Sequence, residues 1–264
     1  MEFLTIFLSE LIGTFLLIVI GCGVNAGVNL KKTYSNDSGW IVITFGWGIA
    51  VVIGATVALP SGGHLNPAVT ISQASLGIIS VSQALMYIFA ELVGAFLGSL
   101  MIILLYWSHF KATEKDEGLI SGSFYTSPAI SNKFINLTTE IVATFVLVMA
   151  VMSTIMYNPE LTGSNASFVM FGPLFVGFVV IGIGLALGGL TGYSINPARD
   201  LMPRLAHYIL PIPNKGKTNW SYSWIPTIGP IIGGLIASLI VFFVVLISGG
   251  DIVIPNLNIK EVCY

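Results

Sequence analysis

Charge is what this chain has least of. Only 8% of its 264 residues are Asp, Glu, Lys or Arg, whereas a soluble domain is roughly 25% charged. Ten basic and twelve acidic side chains are too few to cover the outside of a folded body of this size, which excludes a soluble enzyme. The basic residues are scattered, with no stripe to neutralise phosphates, so nucleic acid is excluded as a partner. Cysteine is nearly absent. Cys22 lies in an apolar run and Cys263 beside the C-terminus, so neither a disulfide framework nor a metal cluster is expected. His64, His109 and His207 fall in separate segments, and no Ser/His pair, paired Asp or His-Glu-x-x-His pattern occurs within the apolar runs. No catalytic residue, no metal and no cofactor are expected. What is abundant is apolar surface: 55% hydrophobic residues, 29 glycines and a mean hydropathy of +0.91.

Six runs are long enough to cross ~30 Å of hydrocarbon: 3–28, 40–59, 83–106, 137–157, 168–189 and 224–247. The first lacks a basic n-region and a small-residue cleavage site, and reads as a retained span. Two further apolar segments are half that length, 65–79 and 194–208. Both open on Asn-Pro-Ala: Asn66, Pro67, Ala68 and Asn196, Pro197, Ala198. Asn suits a helix cap and Pro the first helical position. A short helix with so strong a start reads as a re-entrant segment, which lipid tolerates only inside protein or along a water-filled cavity, or as an interfacial helix on a loop.

An internal repeat decides between these. An offset of 130 residues superimposes Asn66 on Asn196, Glu10-Leu-Ile-Gly-Thr-Phe15 on Glu140-Ile-Val-Ala-Thr-Phe145, Gly54 on Gly184 and Gly62 on Gly192. Gly94 to Ser99 matches Gly233 to Ser238 at a slightly larger offset. The chain is therefore expected to be one all-α transmembrane domain over 1–264. Its halves are about 1–130 and 131–250, each span, span, half-helix, span, followed by a tail at 251–264. Three full spans per half turn the second copy upside down. The half-helices then meet N-terminus to N-terminus near the bilayer centre.

Each helix N-terminus carries about half a positive charge and several unpaired N–H groups. Two facing ends, with the amides of Asn66 and Asn196 added, favour neutral solutes bearing lone pairs and oppose cations, including hydrated protons. Glu10 and Glu140, repeat mates inside the first span of each half, read as carboxylates that brace the re-entrant loops. Glu91 has no mate, and its role stays open. Asp200 and Arg204, four apart, are expected to pair. Arg199 follows Asn196 by almost one turn and points into the same passage near one mouth, while its mate is Val69, so only one mouth is charged. His64 reads as a loop residue lending a carbonyl rather than as a base. The interior glycines, Gly182, Gly188 and Gly189 among them, read as helix-packing positions.

At these residues the chain resembles the major intrinsic protein family, and within it the aquaglyceroporins or glycerol facilitators. Gly62 to Thr70 and Gly192 to Asp200 carry its two boxes in the family's order. The resemblance implies an aquaporin-like fold of six transmembrane helices plus two re-entrant half-helices. It implies a passive channel for glycerol, other small uncharged solutes and water, assembled as a homotetramer in the plasma membrane with both termini cytoplasmic. It implies a constriction made by Trp47, Gly184, Tyr193 and Arg199, and pore-lining loop carbonyls at Gly63, His64, Leu65, Ser194 and Ile195. In that picture Trp47 and Tyr193 form an apolar corner and Arg199 faces them. The Tyr193 hydroxyl departs from a purely apolar corner and leaves urea, dihydroxyacetone or undissociated lactic acid as alternative solutes. A coupled secondary transporter would also fit inverted repeats, but it needs a titratable cluster at the midplane. The family orientation puts Lys31, Lys32, Lys111, Lys115, Lys133, Lys215 and Lys217 outside and only Lys260 inside, against the positive-inside rule.

Overall fold

A computed structural model describes residues 3–114, 117–156 and 171–247. Among them every regular element is helical: α1 Phe3–Asn29, α2 Trp40–Val57, α3 Pro67–Ser75, α4 Val81–Leu105, α5 Trp107–Ala112, α6 Glu117–Gly122, α7 Lys133–Met156, α8 Phe171–Ala186, α9 Gly188–Thr191, α10 Pro197–Ile209 and α11 Trp224–Ile247. At 1.5 Å per residue, α1, α2, α4, α7 and α11 are long and apolar enough to cross a membrane. The described part of α8 has 16 residues. Residues 168–170 of the expected fifth span, Tyr157 of the fourth, Lys115, Lys260, Cys263 and the tail lie outside the described residues. These boundaries follow local chemistry. Ser80 and Gln83 close a reciprocal capping box that starts α4, and Gly77, at φ 72°, turns the chain just after α3.

The first half-helix is shorter than expected, Pro67–Ser75 within 65–79, and the second, Pro197–Ile209 against 194–208, starts later and ends one residue beyond the expected end. The connector expected as a long loop over 107–136 is also different. It contains α5 and α6, and Phe110, Ile120, Phe124 and Tyr125 are buried, so it folds inward over the helices.

The repeat is visible in the packing. α1 lies against α2 and α4, and α7 against α8 and α11, the same arrangement twice. The close approach of the paired spans rests on glycine. A Cβ on Gly94 would sit 2.4 Å from the Leu11 carbonyl oxygen, and one on Gly233 would sit 2.2 Å from the Ile141 carbonyl oxygen. Leu11 and Ile141 are themselves repeat mates, so both halves use one contact to bring helix backbones together. By contrast, Gly182 and Gly189 have open space where a Cβ would go, so within this chain they do not serve the packing role expected of them. The half-helices cross over. α3 packs chiefly on α11 of the other half, and α10 chiefly on α4. That exchange ties the halves into one body.

Candidate functional site

The two Asn-Pro-Ala turns meet inside the protein. Asn66 caps α3, its Oδ1 accepting from the Ala68 N–H at 2.9 Å. Asn196 caps α10, accepting from the N–H groups of Ala198 at 2.9 Å and Arg199 at 3.2 Å. Each amide nitrogen then reaches across to the opposite turn. Asn66 Nδ2 donates to the Ile195 carbonyl at 2.8 Å, and Asn196 Nδ2 donates to the Leu65 carbonyl at 2.7 Å. One hydrogen of each NH2 group is thereby used, leaving the second for the space between the helices. Both asparagines are buried, and both line a cavity of about 840 Å³ together with Leu65, Ile195, Tyr193 and Arg199.

The carbonyls that accept these bonds belong to residues in the left-handed region, Leu65 at φ 55° and Ile195 at φ 46°, a conformation costing on the order of 1–3 kcal/mol for a side-chain-bearing residue. A buried carboxylate holds each one. Glu10 accepts from the Leu65 N–H at 2.7 Å, the His64 N–H at 3.1 Å and the Ser61 hydroxyl at 2.5 Å. Glu140 accepts from the Ile195 N–H at 2.9 Å, the Ser194 N–H at 3.0 Å and the Thr191 hydroxyl at 2.7 Å. The two sets are the same three contacts at repeat-related positions. They hold the turns in the conformation whose Ile195 and Leu65 carbonyls accept from Asn66 and Asn196.

Glu91, left open by the sequence, accepts from the Thr70 hydroxyl at 2.8 Å, and His64 Nδ1 lies 2.9 Å from that hydroxyl. The His64 ring stacks on Tyr87 with centroids 4.1 Å apart. Its backbone N–H is tied to Glu10, so His64 belongs to the first turn. Gly63 and Ser194 line the same cavity, and the Ser194 hydroxyl donates to the Pro226 carbonyl at 3.3 Å.

Trp47, Tyr193 and Arg199 line the same cavity, and Gly184, outside that lining, packs against the Tyr193 ring. The Arg199 guanidinium lies over the Trp47 ring, 4.1 Å from its centroid, a cation–π contact. The guanidinium is thereby packed on the face of Trp47. Arg199 Nη1 also donates to the Phe124 carbonyl at 3.2 Å. The Tyr193 ring fills the room that Gly184 leaves, since a Cβ there would be 2.9 Å from Tyr193 Cζ and 3.0 Å from Tyr193 Oη. Trp47, Tyr193 and Arg199 are each only 4% exposed.

The supports of this cluster include residues that sequence reasoning missed. Asn25, in mid-run on α1, accepts from Trp47 Nε1 at 3.0 Å and donates to the Gly122 carbonyl at 3.0 Å. A lone amide in a membrane-length apolar run was the available signal. Trp40 donates from Nε1 to the Gly184 carbonyl at 2.9 Å and meets the Tyr193 ring edge-on at 5.8 Å. The inward-folded connector supplies the rest. Asp200 accepts from the Thr126 N–H and hydroxyl at 2.8 and 2.6 Å. It pairs with Arg204, as the spacing predicts, at 2.7 Å with both side chains fully buried. Arg204 in turn donates to the Thr126 carbonyl at 3.0 Å and lies over the Tyr125 ring. This network latches the connector to α10 and so sets the Phe124 carbonyl against Arg199. At the far end of α10, Lys215 Nζ donates to the carbonyls of His207, Tyr208 and Leu210, a cationic cap on a helix C-terminus. One of the basic residues that seemed misplaced in the presumed outer loops thus has a local duty.

Known proteins share this organisation. The chain is 48% identical over 232 residues to the glycerol uptake facilitator protein of Bacillus subtilis, covering 88% of this chain and 81% of that protein. It is 48% identical over 236 residues to a probable glycerol uptake facilitator protein of Thermotoga maritima, covering 89% and 97%. The structure superimposes on that of the aquaglyceroporin from Plasmodium falciparum with a TM-score of 0.77 at 28% identity, covering 90% of this chain and 95% of that one. Residues 1–241 match the model of the Major intrinsic protein family. Paired capped turns, crossed half-helices and a whole-chain match agree, and the chain belongs to the major intrinsic protein family of passive membrane channels, not to the enzymes.

Proposed function

We propose that this chain forms a passive transmembrane pore for glycerol and other small uncharged solutes, with water, that excludes ions and protons. The observation that carries the reading is the meeting of two capped helix N-termini, with Asn66 and Asn196 bonded across to Ile195 and Leu65. Both helix dipoles present their positive ends to the middle of the passage, and the free amide hydrogens offer bonds to a hydroxyl oxygen but nothing to a cation. The names of the relatives, glycerol uptake facilitators, support glycerol in particular. At the constriction, the Trp47 and Tyr193 rings suit the C–H edge of a polyol, while Arg199 and the loop carbonyls of Gly63, His64, Leu65, Ser194 and Ile195 suit its hydroxyls. A cation would meet the Arg199 guanidinium and two positive helix ends there, which oppose its entry despite the loop carbonyls. The same reading places a homotetramer in the plasma membrane, with both termini cytoplasmic. Reconstituted proteoliposomes in stopped-flow light scattering, challenged in turn with glycerol, urea, lactic acid and water, test it. Glycerol permeability well above that of empty vesicles is expected, and glycerol permeability equal to theirs overturns the reading.

A further inference from the structure

Three residues of one cluster stand without counterparts in the repeat. The offset of 130 residues sets Asn25 against Ile155, Trp47 against Gly177 and Arg199 against Val69. In the structure they form a closed ring of contacts. Asn25 Oδ1 accepts from Trp47 Nε1 at 3.0 Å, and the Trp47 ring carries the Arg199 guanidinium at 4.1 Å. Arg199 Nη1 donates to the Phe124 carbonyl at 3.2 Å. The Gly122 carbonyl, two residues earlier on the connector, accepts from Asn25 Nδ2 at 3.0 Å and closes the ring. Four segments, α1, α2, α10 and the connector, are joined in this way. One face of α1 is shaped for it. Gly21, one turn before Asn25, gives the indole room, since a Cβ there would lie 2.4 Å from Trp47 Cζ3. Cys22 Sγ donates to the same Phe124 carbonyl at 3.5 Å. Trp47 and Arg199 line the cavity, whereas Asn25 is buried outside its lining. An amide in mid-span is costly unless paired, and Asn25 commits both its acceptor and a donor to this ring.

We propose that Asn25 is a positioning residue for solute selection: bonded to Trp47 and to the connector at once, it holds the Trp47–Arg199 pair in place and so limits the size of solute that crosses. The inference rests on the solute-channel reading above and deepens it. Asn25 touches no solute and acts through Trp47. An indole has a single polar donor, so the bond from Nε1 is its one polar tie, and the bond to Gly122 fixes the amide that accepts it. Without Asn25 the ring of contacts is open. The indole and the guanidinium resting on its face then move more freely, and bulkier polyols pass that the closed ring keeps out. Ile155, the repeat mate, has no amide, which confines this control to the mouth that holds Arg199.

The test is a double-mutant cycle of Asn25→Leu and Trp47→Phe, read as the ratio of erythritol to glycerol permeability in proteoliposomes. Asn25→Leu keeps the side chain's size and removes both bonds, and Trp47→Phe removes the N–H that Asn25 holds. In the wild-type background Asn25→Leu should raise the ratio by about 3- to 10-fold, the factor that one hydrogen bond of ordinary net strength carries. In the Trp47→Phe background the same substitution should leave the ratio unchanged, because residues that act as a unit are not additive. A merely structural Asn25 would lower stability in both backgrounds without this dependence. An unchanged or lowered ratio in the single variant, or an equal rise in both backgrounds, overturns this inference and leaves the channel reading standing. A wild type that passes glycerol no faster than empty vesicles overturns both. Asn25→Ala, which removes the same bonds without adding bulk, takes the place of a leucine variant that fails to assemble. Failure of both to assemble also overturns the inference, since the two bonds would then hold the fold rather than the constriction.

Discussion

Removing the carboxylate of Glu140 strikes the turn that carries Asn196. Its Oε1 accepts from the Thr191 hydroxyl and the Ser194 N–H, and its Oε2 from the Ile195 N–H. In Glu140→Ala three buried donors lose their acceptor. At about 1–3 kcal/mol for each unsatisfied group, with some water entering from the passage, the loss is on the order of 3–6 kcal/mol. Ile195 is also released from the left-handed conformation that points its carbonyl at Asn66. Glu140→Gln keeps one oxygen and turns an NH2 group toward a donor, so about one bond is lost, roughly 1–3 kcal/mol. For a chain of this size each kcal/mol moves the midpoint by about 2–4 °C. Thermal unfolding of the purified protein in detergent should therefore show a fall of roughly 6–24 °C for the alanine variant and a smaller fall for glutamine. Glycerol flux should decline in the same order. Glu10→Ala should behave like Glu140→Ala, because its three contacts are the repeat-related ones. An alanine variant melting within about 2 °C of wild type would refute the bracing role. A glutamine variant with native stability and no flux would refute it too, since a neutral side chain that folds but does not conduct points to a titrating carboxylate.

Other positions give further outcomes. Arg199→Ala should raise the ion conductance of planar bilayers while glycerol still passes, and unchanged conductance would deny the guanidinium its part in exclusion. Gly184→His places a Cβ 2.9 Å from the Tyr193 ring and 2.8 Å from Thr44, so glycerol flux should drop much more than water flux, and equal losses would count against this constriction. Arg204→Leu leaves Asp200 buried without its cation, and removing one partner of such a pair costs about 3–5 kcal/mol. Its midpoint should fall by roughly 6–20 °C, and ion exclusion should weaken as the connector bearing Phe124 loosens.

Side-chain chemistry made much of this molecule legible before folding. The repeat of 130 residues, the Asn-Pro-Ala starts and the membrane-length runs defined spans and half-helices to within a few residues. Glutamates at repeat-related positions suggested braces, and the four-residue spacing of Asp200 and Arg204 suggested their pairing, because charge in an apolar run needs a partner. What stayed illegible depends on backbone atoms and long-range crossing. The Phe124 and Thr126 carbonyls serve Arg199 and Arg204, yet every residue has a carbonyl, so no residue type marks the ones that matter. The six-residue helices α5 and α6 are too short to show a periodicity. The exchange of α3 onto α11 and α10 onto α4 follows from inversion only once both halves are packed. Trp40 sits at a span end, where an aromatic is ordinarily an interfacial anchor, and nothing local shows that it fixes Tyr193.

The central claim is a passive passage, positive at its middle, for neutral solutes. Proteoliposomes holding a pH-sensitive dye, given a glycerol gradient and an imposed pH gradient together, measure both halves of it at once. Glycerol should equilibrate to equal concentration inside and out at a rate the pH gradient does not alter, while dye acidification stays at the level of empty vesicles. Glycerol accumulating above its outside concentration under the pH gradient, or acidification rising with the amount of protein, would contradict the account.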